Sequence, residues 1–159
     1  MTFQITTTST LARLSLAIRT VPDNIFADTS GWATLFVQQE PFHAFACDMI
    51  FRLQAQGWRI YTSNYVLSEL SALLMSPMRV HGQLRMSIRD RIRSAPWVEI
   101  VHIDEAIDQE SWQLLFSRPD KEFSLVDCSS FAVMRRLALR TALTTDHHFE
   151  QAGFHRLLK

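Results

Sequence analysis

A chain of 159 residues with 16 Lys and Arg, 16 Asp and Glu and 47% hydrophobic residues has the apolar content of one folded domain, which excludes an intrinsically disordered chain. Its formal net charge of zero excludes a histone-like nucleic-acid binder that works by electrostatics alone. No apolar run reaches the roughly 18 residues of a membrane span, so no membrane partner is expected.

Residues 1–22 stand apart, with no acid, eight Ser and Thr residues, Arg13 and Arg19, and a closing Pro22. Transit peptides share this composition. Leu11 to Ile18 also fits a short helix, and neither an apolar signal core nor a small-residue cleavage site follows, so the stretch is read as an N-terminal extension.

Asn24 to Ala27 is a short apolar run that predicts a strand, and a helix is expected from Gly31 through Trp32, Leu35 and Phe36. Pro41 is expected to open a second helix, which Gly57 closes. Arg59 to Thr62 reads as a strand, and Ser63-Asn64 caps a helix carrying Val66, Leu67, Leu70, Leu73 and Leu74 until Pro77 stops it. The next helix sets Leu84, Ile88 and Ile92 beside Arg85, Arg89 and Arg93 and ends near Pro96. Trp97 to Ile103 predicts a third strand, and Asp104 to Ser117 an acidic helix. Ser124 caps a helix expected to run to Leu139, apolar nearly all round and therefore central. Ala142 to Thr144 is a fourth strand, Asp146 begins a short helical turn closed by Gly153, and Phe154 to Leu157 is an edge strand. Alternating short strands and helices predict an α/β domain with a mostly parallel sheet. Cys47 and Cys128 have neither metal-ligand nor disulfide-framework spacing and read as reduced core residues.

Four acids end or interrupt apolar runs: Asp28, Glu69, Asp127 and Asp146. Each has an ordinary explanation. Asp28 and Asp146 can cap helices, Ser124 with Asp127 matches a capping box, and Glu69 can pair with an arginine. Together they point to chemistry, because strands one and four of a parallel sheet end at the same edge, where such folds place their sites. Converging carboxylates repel unless cations hold them, and with no Cys/His set the expected ions are Mg²⁺ or Mn²⁺. Such a cluster suits metal-assisted hydrolysis of a phosphodiester.

The segments Phe26-Ala27-Asp28-Thr29-Ser30, Val66-Leu67-Ser68-Glu69-Leu70, Ser124-Leu125-Val126-Asp127-Cys128 and Leu143-Thr144-Thr145-Asp146, with Ala152-Gly153-Phe154, resemble the PIN-domain ribonucleases, including VapC-like toxins. The resemblance implies a PIN domain over residues 23–159: a three-layer α/β/α fold with sheet order 3-2-1-4-5 and helices on both faces. It implies an endoribonuclease whose catalytic and metal-binding acids are Asp28, Glu69, Asp127 and Asp146, leaving a 5′-phosphate and a 3′-hydroxyl. It further implies auxiliary hydroxyls at Thr29 or Ser30 and Thr145, an RNA substrate, a homodimer, an antitoxin protein as partner and a cytoplasmic location. Asp120 is a candidate auxiliary acid or a plain loop aspartate. The rival reading is a non-catalytic PIN-like module that holds RNA or protein. An aspartyl-phosphate phosphatase fits less well, since Thr29-Ser30 and not a second carboxylate follows Asp28.

Between positions 79 and 93 five arginines face only Asp90, which is expected to turn away from the Arg85, Arg89 and Arg93 row. Like charges at i, i+4 and i+8 disfavour a helix unless anions answer them, so the row is expected to meet RNA phosphates or an acidic protein surface, the helix from Asp104 to Glu110 included. His147 and His148 are expected to pack or cap, and the four tryptophans to belong to the core.

Overall fold

Three consecutive residues of the first strand, β1 (Asn24–Ala27), are buried: Ile25, Phe26 and Ala27. That pattern belongs to a strand covered on both faces, as parallel sheets require. The computed structural model describes residues 24–159, and the extension expected over residues 1–22 lies outside them. Beside β1 run β2 (Arg59–Ser63), then β3 (Val98–Val101), and on its other side β4 (Thr141–Leu143) and β5 (His155–Arg156). The order is β3-β2-β1-β4-β5, with every pairing parallel. Phe26 stands level with Tyr61 on one side and Ala142 on the other.

The helices are α1 (Thr29–Phe36), α2 (His43–Ala55), α3 (Asn64–Met75), α4 (Gly82–Ser94), α5 (Glu105–Ser117), α6 (Leu125–Arg136) and α7 (His148–Gln151). The connections through α1 to α4 step the sheet one way from β1, and those through α5 to α7 step it the other way. Right-handed crossovers therefore place the two groups on opposite faces. β1 and β4 form the point where the winding reverses, and their carboxyl ends open the crevice such sheets use for ligands.

Element boundaries depart from expectation for local reasons. The first helix starts at Thr29, directly after Asp28. Turns at Val37–Glu40 and Glu40–His43 place Pro41 ahead of α2, so that helix starts at His43. Ala138, in the left-handed region at φ 53°, ends α6 at Arg136 and not Leu139. The edge strands β3 and β5 are shorter than their apolar runs.

Aromatic side chains join the layers. Phe131 of α6 meets Phe149 of α7 edge-on with centroids 5.0 Å apart, and Phe149 stacks on Phe26 at 6.4 Å. All eight residues from Asp127 to Met134 are buried, so α6 is the central helix that its composition predicts. Trp32 is buried and donates through Nε1 to Thr62 Oγ1 at 3.0 Å, and Thr62 donates to the Ala27 carbonyl at 2.9 Å, so both of these buried donors are satisfied. Trp58 is also buried, whereas Trp112 stacks on Phe116 at an exposed surface of α5, and Cys47 is only half-buried; these two expectations of core placement do not hold.

Gly31 fixes how α1 meets the sheet. A Cβ there would lie 2.0 Å from the Leu143 carbonyl oxygen, so only glycine lets the first turn of α1 press against the end of β4.

Candidate active site

Asp28 is the first residue beyond β1 and stands at the N-cap position of α1, yet its carboxylate makes no cap bond. Instead Oδ2 accepts from Thr144 Oγ1 at 3.1 Å and Ser30 Oγ at 3.2 Å, two hydroxyls 2.9 Å apart. The carboxylate is therefore held between the first turn of α1 and the residue that follows β4. Burial raises its pKa to about 7, and repulsion from Asp127 and Glu69 adds to this, while the Thr29 N–H and the Thr144 hydroxyl offset part of it.

Glu69 lies in the second turn of α3, whose start is fixed by Ser63 accepting from Val66 N at 3.1 Å. Its Oε2 accepts from Thr29 Oγ1 at 2.5 Å. Asp127 does two things at once. Its Oδ2 accepts from Ser124 N at 2.7 Å while Ser124 Oγ accepts from Asp127 N at 3.0 Å, a complete capping box, and the same carboxylate lines the crevice. Burial pushes its pKa up, with repulsion from Asp146 adding and the Ser124 donors and His148 opposing. Asp146 follows β4, and its Oδ1 accepts from His148 N at 2.9 Å.

These four acids line one cleft of about 370 Å³, with Thr29, Ser30, Glu122, Ser124 and His148 also on its walls. Among the described residues no lysine or arginine pairs with any of the four, so Glu69 does not take the arginine partner open to it. Oxygen donors without a protein cation suit a hard divalent ion. The match extends beyond geometry, for the family model of the PIN domain fits residues 25–155.

The chain belongs to the PIN-domain ribonuclease family.

This PIN domain is 34% identical over 131 residues to the 23S rRNA-specific endonuclease VapC20 of Mycobacterium tuberculosis, from two strains; the alignment covers 82% of this chain and 95% of the relative. The crystal structure of Mycobacterium tuberculosis VapC20, described as a Sarcin-Ricin loop cleaving toxin, superposes with a TM-score of 0.71 at 32% identity, covering 85% of this chain and 98% of that one. FitAcB from Neisseria gonorrhoeae shares the fold, with a TM-score of 0.62 at 18% identity, covering 84% of this chain and 96% of that one.

Other expected residues fall differently around the PIN cleft. Thr144, not Thr145, supplies the hydroxyl beside Asp28; Thr145 contributes its backbone, donating to Ser30 Oγ at 3.0 Å and accepting from Arg156 at 2.7 Å. Asp120 is exposed and pairs with Arg118 at 3.0 Å, which holds its carboxyl below the usual range; the acid of this loop on the cleft wall is Glu122. The sequence offered no way to choose between two acids two residues apart in a loop. His148 was expected to pack or cap, and it does pack, yet its ring also faces the carboxylates. Spacing of two from Asp146 across the start of a helical turn is the signal that could have singled it out.

The arginine row lies on the far flank of α3 from the acids, where Arg85, Arg89 and Arg93 line a groove of about 550 Å³ between α3 and α4. Asp90 is not on the walls of that groove, yet Arg89 bends to it at 2.6 Å. The acidic helix does not answer the row within this chain: Glu110 pairs with Arg136 at 2.8 Å and Asp108 accepts from Tyr65 at 2.8 Å.

Proposed function

We propose that this chain is a divalent-ion-dependent endoribonuclease and the toxin of a toxin–antitoxin pair. The observation that carries the reading is the convergence of Asp28, Glu69, Asp127 and Asp146 on one cleft with no lysine or arginine paired to any of them among the described residues. Asp28, Asp127 and Asp146 would hold the ion, and Glu69 would complete the site or orient the attacking water. When bound, Mg²⁺ or Mn²⁺ neutralises the cluster, acidifies a water and stabilises the departing oxygen. The rest is positioning by the chain itself. Thr29 holds Glu69, Ser30 and Thr144 hold Asp28, and the Ser124 backbone N–H holds Asp127, so each carboxylate meets the substrate pre-oriented. In-line attack by water leaves a 5′-phosphate and a 3′-hydroxyl.

The relatives that act on 23S rRNA support structured ribosomal RNA as the class of target. Arg85, Arg89 and Arg93 extend the RNA path or receive an antitoxin, and the active form is a homodimer acting in the cytoplasm. Among the described residues no helix is long and apolar enough to cross a membrane. Incubating purified protein with ribosomal RNA, with and without Mg²⁺ or Mn²⁺ and beside an Asp28→Asn control, tests the reading. Ion-dependent cleavage absent from the control is expected; RNA binding without cleavage in any ion would replace it with the non-catalytic binding module.

A further inference from the structure

The ring of His148 is held by packing. It sits edge-on to Phe123 with centroids 5.5 Å apart, and Phe123 in turn meets Phe131 edge-on at 5.2 Å, so the aromatic core sets the plane of the imidazole. Its Nδ1 is buried and makes no hydrogen bond, although Asp146 Oδ2 lies 3.3 Å away and Asp127 Oδ2 3.5 Å away. A buried ring nitrogen beside two acceptors, bonded to neither, is an orphan that calls for a missing partner.

We propose that His148 Nδ1 is a ligand to the divalent ion, beside Asp127 and Asp146, and that it tilts the site toward Mn²⁺ and away from Mg²⁺. The inference rests on the reading of the cleft as a divalent-ion site and goes on to specify its donor set. Adjacent ligands around a six-coordinate ion with bonds near 2.1 Å lie about 3.0 Å apart. The two nitrogen–oxygen separations approach that edge length. The carboxylates are also aimed for it: the Ser124 N–H fixes Asp127, and the backbone N–H of His148 takes Asp146 Oδ1, leaving Oδ2 on the side of the ring. One short segment thus orients a carboxylate with its backbone and offers a nitrogen with its side chain. Mg²⁺ favours oxygen ligands and retained water, whereas imidazole gains affinity along the first transition row, so one nitrogen among carboxylates selects the transition ion. His147 is 62% exposed, with Nδ1 3.6 Å from Asp146 Oδ1, and serves as the internal control.

The test is pulsed electron paramagnetic resonance of Mn²⁺ bound to the full chain, with Mn²⁺ and Mg²⁺ affinities measured for wild type, His148→Phe, His148→Ala and His147→Ala. The expected result is a ¹⁴N coupling in wild type that is lost in both His148 variants. Mn²⁺ affinity falls about tenfold or more in those variants while Mg²⁺ affinity changes less than twofold, and His147→Ala behaves as wild type. His148→Phe keeps an aromatic ring on Phe123, and ¹⁵N-histidine labelling of the His147→Ala variant assigns the coupling to a histidine other than His147 even where a His148 variant folds poorly. Mn²⁺ bound without nitrogen coupling, in a protein whose Asp127→Asn variant loses the ion, overturns the ligand role and leaves the nuclease reading standing. Failure of wild type to bind either ion overturns both.

Discussion

The α-carbon of Gly31 lies against the carbonyl of Leu143 so closely that a methyl group on it would sit 2.0 Å from that oxygen. The same carbonyl accepts from Asp28 N at 3.2 Å, so the contact that seats α1 on β4 also sets the first carboxylate. Gly31→Ala is expected to cost about 1–3 kcal/mol of stability, as overpacking against backbone does, and to lower nuclease activity beyond the loss of folded protein. Chemical denaturation together with activity per folded molecule measures both. An alanine variant with unchanged stability would show that the helix can retreat freely.

Asp28 makes stability pH-dependent. Its pKa is raised to about 7 in the fold from 3.8, so between about pH 4 and 7 the unfolded chain has released a proton that the folded chain keeps. Stability from this group is greatest below pH 4 and declines as pH rises, by up to roughly 4 kcal/mol without divalent ions. Asp28→Asn in EDTA is expected to melt higher than wild type at pH 8, with the gap closing toward pH 5. A gap independent of pH would rule out the buried carboxyl as its source.

Asp127→Asn separates capping from chemistry. The asparagine oxygen can still accept from Ser124 N, so the start of α6 survives and stability without divalent ions is expected to hold or rise as repulsion from Asp146 is relieved. Cleavage is expected to fall at least 100-fold. Asp127→Ala, which also loses the box, should cost about 1 kcal/mol more. Full cleavage by purified Asp127→Asn would remove Asp127 from the reaction.

Thr144 and Thr145 give a paired comparison. Thr144→Val removes the hydroxyl that meets Asp28, Ser30 and the Asp146 backbone N–H, and is expected to reduce both stability and activity; Thr145→Val should be near neutral. Melting curves and initial cleavage rates for the two variants check the order, and equal effects would contradict it.

Reversing Arg85 and Arg89 to Glu tests the groove between α3 and α4. Weaker RNA binding with a shallower salt dependence is the expected result if the row meets phosphates. Loss of dimer or antitoxin binding at constant RNA affinity is expected if it meets protein. No change in either, nor in stability, would make the row solvated surface.

The central place of α6 and the convergence of the four acids were legible because each rests on a pattern within a few residues: buried runs at β1 and β4, a Ser cap before each key helix, an acid ending or interrupting each run; the sheet order came only from the resemblance to the PIN-domain ribonucleases. What stayed hidden depends on side-chain direction at strand ends and in loops. Thr144 and Thr145 are alike in sequence, and only the course of the chain just beyond β4 decides which hydroxyl faces Asp28. Asp120 and Glu122 differ by the path of one loop, with Arg118 capturing the first. His148 was hidden for another reason: its direction is set by Phe123, 25 positions earlier, a contact no local pattern records.

The four acids come from the ends of β1 and β4 and from α3 and α6, with Asp146 the last of them in chain order. During synthesis, Asp28, Glu69 and Asp127 emerge before Asp146, and Asp28 lacks its Thr144 partner until β4 pairs with β1. No N-terminal fragment ending before β4 contains the assembled cleft. A chain still growing on a ribosome therefore lacks the assembled cleft until β4 and Asp146 have emerged, and a version split between α6 and β4 would lack it until its halves were brought together.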